Sequence, residues 1–461
     1  MTRKEKTMSK KFIYLILVTM LVIISTIHPV SAQKFPAYTS GIQVQNLGNA
    51  TANVVLEYYK LDDGSTNLLV DSVTDTISVN SSKTYFPAMP FSGSLVISSD
   101  QPTAAVSNIQ NSAKTAGAAY VGSSMGSTNV ALPLLMKGNG SIPYDTWFSI
   151  QNTGSTNANV QINYSDCSSP VNATIKPNAS KNFYQASEPC HTTKVFSARI
   201  TSDQPIVVVA LEENAYKMFA YTGFSSGSQQ LVMPLINTNN NGITTGIQIQ
   251  NISSTDTQVT LSYIPSIAGT ACTETQTIPA NSSKTFALVA FSSNNSAVTT
   301  TCIPNERFIG SAFVSSNTSN SDLVAIVNQN KSIYGEAYGA FNPENATAKV
   351  VLPLLMDRNG SAQWSTGFSV MNIGATTTYV KCTLTGTSYT VQGQLQPFEA
   401  LTPNQKGAIA PDYVGSGTCI TYTDSSYTTV DATGKIVAVV NESGTPTADR
   451  LLVYEGINIT P

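Results

Sequence analysis

The stretch GIQVQNLGNATANVVLEY, residues 41–58, decides the fold. Apolar and polar residues alternate up to Asn46, a polar turn follows, and a second alternating run begins near Val54. Alternation with a period of two over this length is typical of half-buried β-strands. The sequence therefore predicts two strands joined by a short polar turn, which we expect to pair as a hairpin.

The same skeleton returns three more times along the chain. The later copies are FSIQNTG from Phe148, GIQIQNIS from Gly246 and GFSVMNIG from Gly367. A second alternating run follows each of them, and a turn of the NxSK kind follows in the first three copies. Motifs of the LPLLM kind precede the last three copies, with a shorter FPAY from Phe35 before the first. Self-similarity of this kind is the signature of a repeat architecture.

Each copy spans about 100 residues and carries six or seven short strands, as an immunoglobulin-like sandwich requires. The predicted fold is all-β, with four tandem immunoglobulin-like antiparallel β-sandwich domains after a signal peptide. Because each copy is long enough to close a core of its own, we expect beads on a string. The predicted ranges are 1–32 for the signal peptide and 33–129, 130–230, 231–348 and 349–461 for the four repeats.

The N-terminus has a basic start, an apolar run over residues 12–25 and small residues ending at Ala32. This pattern predicts a secretory signal peptide cleaved after Ala32. The alternative is an uncleaved membrane anchor, although the run is shorter than the ~20 residues of a spanning helix. We therefore expect an extracellular protein, secreted or associated with the cell surface, without an integral membrane segment after cleavage.

Without residues 1–32 the chain has 19 basic and 26 acidic residues, a net charge of −7. Nucleic acids and anionic membranes bind clustered Lys and Arg, so this balance argues against both as partners. Charged residues make up 11% of the whole chain, so neutral polar groups must keep it soluble.

Six cysteines fall two by two into the last three repeats. Six thiols allow 15 pairings, but two per repeat favours pairing within each repeat. The predicted disulfides are Cys167–Cys190, Cys272–Cys302 and Cys382–Cys419. A metal site is the alternative, and it lacks both CxxC spacing and histidines.

The tetrapeptide SDQP occurs at residues 99–102 and 202–205. We interpret it as a turn in which the aspartate bonds to the backbone of its own turn and the proline opens the next strand. An active-site loop is the alternative, but the third and fourth copies have other sequences at this point.

Catalytic groups are scarce. His191 is the one histidine after residue 32, and it lies beside Cys190. Five acids fall in the second repeat without a pattern that pairs them, namely Asp145, Asp166, Glu188, Glu212 and Glu213. The LDDGS stretch from Leu61 places Asp-Gly between two strand runs, which favours a hairpin turn. A calcium loop is the alternative, but the stretch lacks the alternating oxygen ligands of such a loop. We expect no catalytic residue, no cofactor and no metal site, and hence no enzyme.

Trp147 and Trp364 are the candidate carbohydrate contacts, and a place at the edge of a core is their alternative role. Sequons at Asn80, Asn178 and Asn281 fall at the same turn of three repeats, and those at Asn139 and Asn359 match in two. These asparagines are candidate glycosylation sites, or residues chosen for turn chemistry alone.

The succession of LPLLM, QNxG, PNxSK and SDQP resembles the tandem repeats of uncharacterised secreted proteins of Chloroflexota-type bacteria. In the second repeat the likeness rests on Leu132–Met136, Gln151, Asn152, Ile175–Phe183 and Ser202–Ile206. It implies a fold and an exported location but no activity, and the fourth repeat departs from it at two turns.

The leading hypothesis is a non-enzymatic extracellular structural protein of the cell surface, a surface-layer, sheath or stalk component. The alternative is a carbohydrate-binding or adhesion protein of the cell envelope. The expected partners are further copies of the chain or glycans of the envelope and its surroundings. A hydrolase with a pair of carboxylates is a distant third hypothesis.

Overall fold

The computed structural model describes residues 38–459 except 89–90, 112, 114, 287–298, 320, 333, 404 and 446–450. The signal peptide and its cleavage site lie outside these residues. The described chain is almost entirely antiparallel β-structure, with two single-turn 3-10 helices at Gln185–Ser187 and Pro343–Asn345. The all-β, immunoglobulin-like sandwich fold is therefore confirmed. Within the described residues, no helix is long and apolar enough to cross a membrane.

The first repeat contains seven strands in two sheets. We call the sheet with the QNxG strand the front sheet and the other the back sheet. The strands are β1 Tyr38–Asn46, β2 Ala52–Lys60, β3 Leu69–Ile77, β4 Ser82–Tyr85, β5 Gly93–Ser99, β6 Thr103–Asn111 and β7 Gly117–Val121. The front sheet has the order β4-β1-β6-β7 and the back sheet the order β3-β2-β5.

The second repeat follows the same plan and adds a strand before its QNxG strand. Its strands are β8 Ser127–Met136, β9 Asp145–Asn152, β10 Ala158–Tyr164, β11 Val171–Ile175, β12 Ser180–Tyr184, β13 Val195–Glu213 and β14 Met218–Thr222. The first half of β13 belongs to the back sheet and the second half to the front sheet. The front order is β12-β9-β13-β14 and the back order is β11-β10-β13-β8.

The third repeat also begins with an added strand. Its strands are β15 Gln230–Thr238, β16 Thr244–Asn251, β17 Thr257–Ala268, β18 Cys272–Ile278, β19 Ser283–Phe286, β20 Thr299–Thr300, β21 Phe308–Ser316, β22 Leu323–Lys331 and β23 Tyr334–Gly339. The front order is β19-β16-β22-β23 and the back order is β15-β21-β17-β18-β20.

The fourth repeat closes the described chain. Its strands are β24 Lys349–Asp357, β25 Ser365–Asn372, β26 Thr378–Leu384, β27 Thr390–Leu395, β28 Ala400–Leu401, β29 Tyr413–Tyr422, β30 Ile436–Ser443, β31 Leu451–Glu455 and β32 Ile457–Ile459. The front order is β28-β25-β30-β31 and the back order is β27-β26-β29-β24-β32.

The two alternating runs of the opening stretch do not form a hairpin, so that expectation is wrong. β1 pairs with β4 and β6, whereas β2 pairs with β3 and β5 in the opposite sheet. The turn after Asn46 therefore carries the chain from one sheet across the core to the other. Both runs still alternate because each turns its apolar side chains to the same core.

A buried asparagine holds this crossing. The Asn46 amide donates to the carbonyls of Ala50 (2.8 Å) and Ile77 (2.9 Å), while its oxygen accepts from the Gly48 N–H at 2.8 Å. Asn152, Asn251 and Asn372 make the same three bonds in the other repeats. All four side chains are buried, and each amide satisfies one buried backbone carbonyl, that of Ile77 or its equivalent in the other repeats.

The SDQP segment carries the chain back from the back sheet to the front sheet. In the second repeat it is part of the continuous strand β13 rather than a turn. Asp203 accepts from the main-chain and side-chain N–H groups of Asn159, both at 2.7 Å, and Asp100 binds Asn53 in the same way. The aspartate therefore bonds to the neighbouring strand, and the expectation that it bonds to its own turn is wrong.

The expectation of beads on a string is also wrong. The described residues of Tyr38–Pro461 form one compact unit. In it the last front strands contact one another in a closed order: β7 with β14, β14 with β23, β23 with β31, and β31 with β7. The four repeats therefore form a ring. The four predicted domain ranges stay a prediction.

The repeats share their cores with their neighbours around the ring. Ile326 of the third repeat belongs to the core of the second, and Val439 and Val453 of the fourth belong to that of the third. Val106 and Ala119 of the first repeat complete the core of the fourth. Each of these three repeats thus leaves one end of its sandwich open, and the front sheet of the next repeat covers it.

The six cysteines form the three predicted disulfides, in different places in each repeat. Cys167 and Cys190 join two loops beside β13, whereas Cys272 at the start of β18 is bonded to Cys302 in a loop. Cys382 and Cys419 are register partners on the adjacent strands β26 and β29. The bonds therefore stabilise individual repeats and are not one repeated feature of the fold.

Replacing Asn152 by Ala removes three hydrogen bonds and leaves the buried Ile175 carbonyl without its donor. We therefore expect it to lower the free energy of unfolding by about 2–3 kcal/mol. Asn157→Ala, at an exposed position of the same turn, is the matched control and should change it by less than about 0.5 kcal/mol. Denaturant titration measures both variants. Equal losses would show that Asn152 does not hold the crossing.

Candidate functional site

The first candidate site is a cluster of aromatic rings and a carboxylate between the first two repeats. Trp147 lies with its ring centre 5.7 Å from that of Tyr38 and 5.9 Å from that of Tyr184. The Tyr38 hydroxyl donates to both carboxylate oxygens of Glu213, at 3.0 and 2.8 Å. Strand β1 supplies Tyr38, while β9, β12 and β13 supply the other three residues, so the cluster joins two repeats.

The electrostatics of this cluster are those of a buried hydrogen bond. Burial raises the pKa of Glu213 above its usual range, against the hydrogen bond from Tyr38, which lowers it. Burial and the neighbouring Glu213 raise the pKa of Tyr38 far above that of a free phenol. Asp145 lies opposite Glu213 in the β9–β13 register, and its carboxylate accepts from the Gly138 N–H at 2.9 Å. The cluster therefore holds two strands and two repeats together.

The two tryptophans are not equivalent. Trp147 is 9% exposed and packs between two tyrosines, so it is not an open platform for a sugar ring and the first candidate contact is buried. Trp364 is half-buried against the core of the fourth repeat. Tyr216, in the loop after Glu213, is 53% exposed. The sequence singled out neither Tyr216 nor Tyr38.

His191 belongs to a buried polar clamp. Its ring stacks on Phe196 with 3.8 Å between centres, and its two nitrogens lie 3.0 Å from Asp166 and Gln185 oxygens. Burial opposes ionisation of Asp166, but hydrogen bonds from His191 and from two backbone amides outweigh it and hold the pKa of Asp166 below its usual range. The clamp fixes the loop that carries Cys190.

This clamp also contains a group with the geometry of metal ligands, formed by Cys167, Cys190 and His191. The two sulfurs are bonded to each other, so neither is a thiolate that could bind a metal. The acids of the LDDGS loop likewise accept hydrogen bonds from the protein itself. Asp62 and Asp63 accept from the amides of Gly64 and Ser65.

The LDDGS loop also contacts the second repeat. The Asp62 carboxylate accepts from the Lys176 N–H at 2.9 Å, and the Lys176 ammonium donates to the carbonyl oxygens of Gly64 and Ser65. The loop is the connection of the β2–β3 hairpin, as the sequence predicts. It therefore helps to join the first two repeats.

Two further contacts between repeats contain buried glutamates. Asn328 of the third repeat donates to Glu212 of the second at 2.7 Å, and Asn108 of the first donates to Glu442 of the fourth at 2.6 Å. Burial raises the pKa of each glutamate to about 8. The equivalent pair between the first two repeats is apolar, formed by Ile109 and Leu211. The contacts around the ring therefore differ in chemistry although their geometry repeats.

These glutamates predict a stability that falls with rising pH. Each stabilises the fold fully below about pH 4.5, its unfolded pKa, and this contribution is lost as the pH rises through the folded value of about 8. Glu212→Gln, whose amide stays neutral, should flatten the pH dependence and stabilise the protein at pH 9 by on the order of a few kcal/mol.

Thermal and denaturant unfolding between pH 5 and pH 9 measure this effect. Glu344→Gln, at an exposed site, is the control and should reproduce the wild-type profile. A wild-type profile that rises towards pH 9, or a Glu212→Gln variant with an unchanged slope, would contradict the assignment.

The sequon asparagines have a backbone reason to be asparagine. Asn80, Asn178 and Asn281 have φ values of 55°, 63° and 53°, in the left-handed region that asparagine tolerates better than most residues. Asn80 and Asn281 are exposed, whereas Asn178 is half-buried and donates to the Tyr59 hydroxyl at 3.2 Å. The half-buried Asn139 and Asn359 direct their amides towards Met136 and Met356. Turn geometry is thus sufficient to explain three of the five positions, and glycosylation stays a prediction.

Asn80→Gly and Asn80→Ala separate these two roles, since both remove the sequon. Glycine adopts positive φ without strain, so Asn80→Gly should leave stability within about 0.5 kcal/mol, while Asn80→Ala should cost about 1 kcal/mol. Chemical denaturation measures the difference. Equal losses in both variants, together with a loss of mass equal to a glycan, would favour the modification over the turn.

A repeated tyrosine was missed by the sequence analysis. The hydroxyls of Tyr221, Tyr338 and Tyr454 donate to the carbonyls of Leu134, Leu235 and Leu354, the residues after the proline of each LPLL motif, at 2.6, 2.5 and 2.5 Å. The signal is a recurring Ala-Tyr or Val-Tyr pair near the end of each copy, for example at residues 119–120 and 220–221. These tyrosines connect the last front strand to the added back strand.

Comparison with known proteins adds little to this description. Neither the known protein families nor the curated proteins give a match. The crystal structure of Thermotoga maritima 1070 is 21% identical over 22% of this chain and 94% of its own, with a TM-score of 0.18. A mutant of the major pilin from Streptococcus pyogenes is 11% identical over 55% of this chain and 94% of its own, with a TM-score of 0.15.

Proposed function

We propose that the protein is a non-enzymatic structural component of the extracellular surface, of the surface-layer, sheath or stalk kind. The observation that carries this proposal is the closed ring, in which repeats complete the cores of their neighbours. A body built in this way resists local opening, because opening one repeat exposes the core of another. Rigidity of this kind suits a part that spaces or tiles a surface.

The use of the polar groups supports the same function. The carboxylates of Asp62, Asp100, Asp166 and Asp203 hold loops and strand crossings, and that of Glu212 lies between two repeats. Three disulfides add stability in the oxidising environment outside the cell. An extracellular location follows from the same proposal.

Glycan binding is the second candidate function, and it has its own observation. Trp364 is half-buried rather than buried, and Tyr216 is more than half exposed. Amphipathic rings of this kind bind one face of a sugar. We assign sugar binding to Trp364 and Tyr216, because Trp147 is buried between two tyrosines.

Electron microscopy of the purified exported protein tests the proposal. A structural component should form regular sheets or fibres as its concentration rises, because identical rigid bodies repeat the same contacts. Particles that stay monomeric at every concentration would contradict it.

Pull-down on cell wall and purified polysaccharides distinguishes the second function. Retention that is lost in Trp364→Ala or Tyr216→Ala, with Tyr427→Ala as an aromatic control, would favour glycan binding over assembly.

A further inference from the structure

In three of the four repeats, an added strand of the LPLL kind completes the back sheet. β8 pairs with β13, β15 with β21 and β24 with β29. The counterpart of β13, β21 and β29 in the first repeat is β5, which pairs with β2 along one edge. Within the described chain, no strand is paired with the other edge of β5.

The core beneath this edge is less covered than in the other repeats. Leu95 and Ile97 of β5 are half-buried, and their counterparts in β13 and β21 are fully buried. The strand pairings with β2 and its equivalents identify these counterparts as Ala198 and Ile200, and Ala312 and Val314. The first repeat therefore exposes apolar surface where the added strand would lie.

The front sheet of the second repeat, which faces β5, is also less buried than its equivalents. Val207, Val209, Ser149 and Gln151 are half-buried. The equivalent residues of the other repeats are 5% exposed or less, because the back sheet of the preceding repeat covers them. They are Ala104, Val106, Gln43 and Gln45; Val324, Ile326, Gln248 and Gln250; and Val437, Val439, Ser369 and Met371. We call the space between β5 and these four residues the first-seam groove.

The edge of β5 also lacks protection. Its sequence, GSLVISS, contains no charged residue, whereas β3 at the opposite edge of the same sheet carries Asp71 and Asp75. Charged side chains on an exposed edge prevent pairing with another chain, and their absence permits it. At one end of the groove, the Ser94 hydroxyl donates to the Asn178 carbonyl at 2.8 Å. The residues of β5 after Ser94 are paired with β2 alone.

The added strands of the other three repeats, β8, β15 and β24, indicate what kind of strand would fill the groove. The residues opposite the equivalents of Ile97, Val96 and Leu95 are Val130, Ala131 and Leu132 in β8. They are Leu231, Val232 and Met233 in β15, and Val350, Val351 and Leu352 in β24. A polar residue precedes each triplet and a proline follows it. The occupant is thus an antiparallel strand of the pattern polar, three apolar residues, proline.

Among the described residues, no strand of this pattern is left over to fill the groove. The described strands β8, β15 and β24 are already paired in their own sheets. The predicted cleavage after Ala32 would leave five residues of sequence, 33–37, before β1. In the other repeats the corner between the added strand and the QNxG strand takes residues 137–144, 239–243 and 358–364.

We propose that the first-seam groove binds an extended strand of a separate polypeptide by β-strand addition, with the pattern polar, three apolar residues, proline. Main-chain hydrogen bonds to β5 supply affinity, and the two outer apolar residues of the triplet, packed beside Leu95 and Ile97, supply specificity. This goes beyond the proposed structural function and gives the protein one defined contact to another protein.

A peptide with the sequence of residues 127–137, STNVALPLLMK, is the probe. Labelled at one end and titrated into the purified full-length exported protein, it should bind saturably by fluorescence anisotropy. The same peptide with aspartate in place of Val130 and Leu132 should bind at least tenfold more weakly. No saturable binding, or equal binding of the two peptides, would overturn the proposal.

Cross-linking tests the register without disturbing the core. The register of β8 on β13 places Asn129 opposite Thr201, the counterpart of Ser98 in β5. A Ser98→Cys protein should therefore form a disulfide with a peptide carrying Asn129→Cys. Thr74→Cys, exposed on β3 at the opposite edge, is the matched control and should not. Equal cross-linking at both sites would overturn the proposal.

Two other occupants are distinguished by their own outcomes. If a second copy fills the groove, the wild-type protein should dimerise without peptide and the peptide should dissociate the dimer. If the chain's own residues before Gln33 are retained and fill it, intact mass should show them and the peptide should not bind. Either result would overturn a separate polypeptide as the partner. The electron microscopy test of the structural function does not depend on which of these three occupants fills the groove, so the two proposals can fail separately.

Discussion

A buried side-chain amide that makes three hydrogen bonds is the constraint on which the fold depends. A strand that ends at Asn46, Asn152, Asn251 or Asn372 cannot continue and cannot turn back beside itself, because the amide binds the backbone on both sides of a crossing between sheets. Burying such a group without its partners would cost a few kcal/mol, so the sequence must provide all of them together. Four sandwiches follow from four copies of this arrangement.

The sequence predicts those parts of the fold that depend on local alternation and on covalent pairing. The four QNxG strands, the sandwich class and the three disulfides could be read from it. It misleads about the partners of these strands, because an alternating run has the same pattern whether its neighbour lies in its own sheet or across the core. The arch after Asn46 and the bond from Asp203 to Asn159 both depend on contacts across strands that turn residues alone do not reveal.

The candidate sites were less predictable for the same reason. From the sequence alone, Trp147 fits either an exposed platform for a sugar or a place at the edge of a core. Its burial depends on packing against Tyr38, which is more than a hundred residues away in the chain. The buried Glu212 has no signal in its own repeat, because its donor is Asn328 in the next one. The sequence does contain one signal of a contact between strands, the tyrosine near the end of every copy. In the last three copies its hydroxyl donates to the LPLL strand.

The shared cores have a consequence for how such a chain can evolve. In an open array, copies can be gained or lost by recombination, since every internal unit has equivalent neighbours. Here the last unit must also meet the first, through Val106 and Ala119 packed into the core that contains Leu352 and Tyr454. Adding or deleting one copy would change the angle through which every unit turns and prevent this meeting. The number four is thus set by geometry, and natural variation should alter loops before it alters copy number.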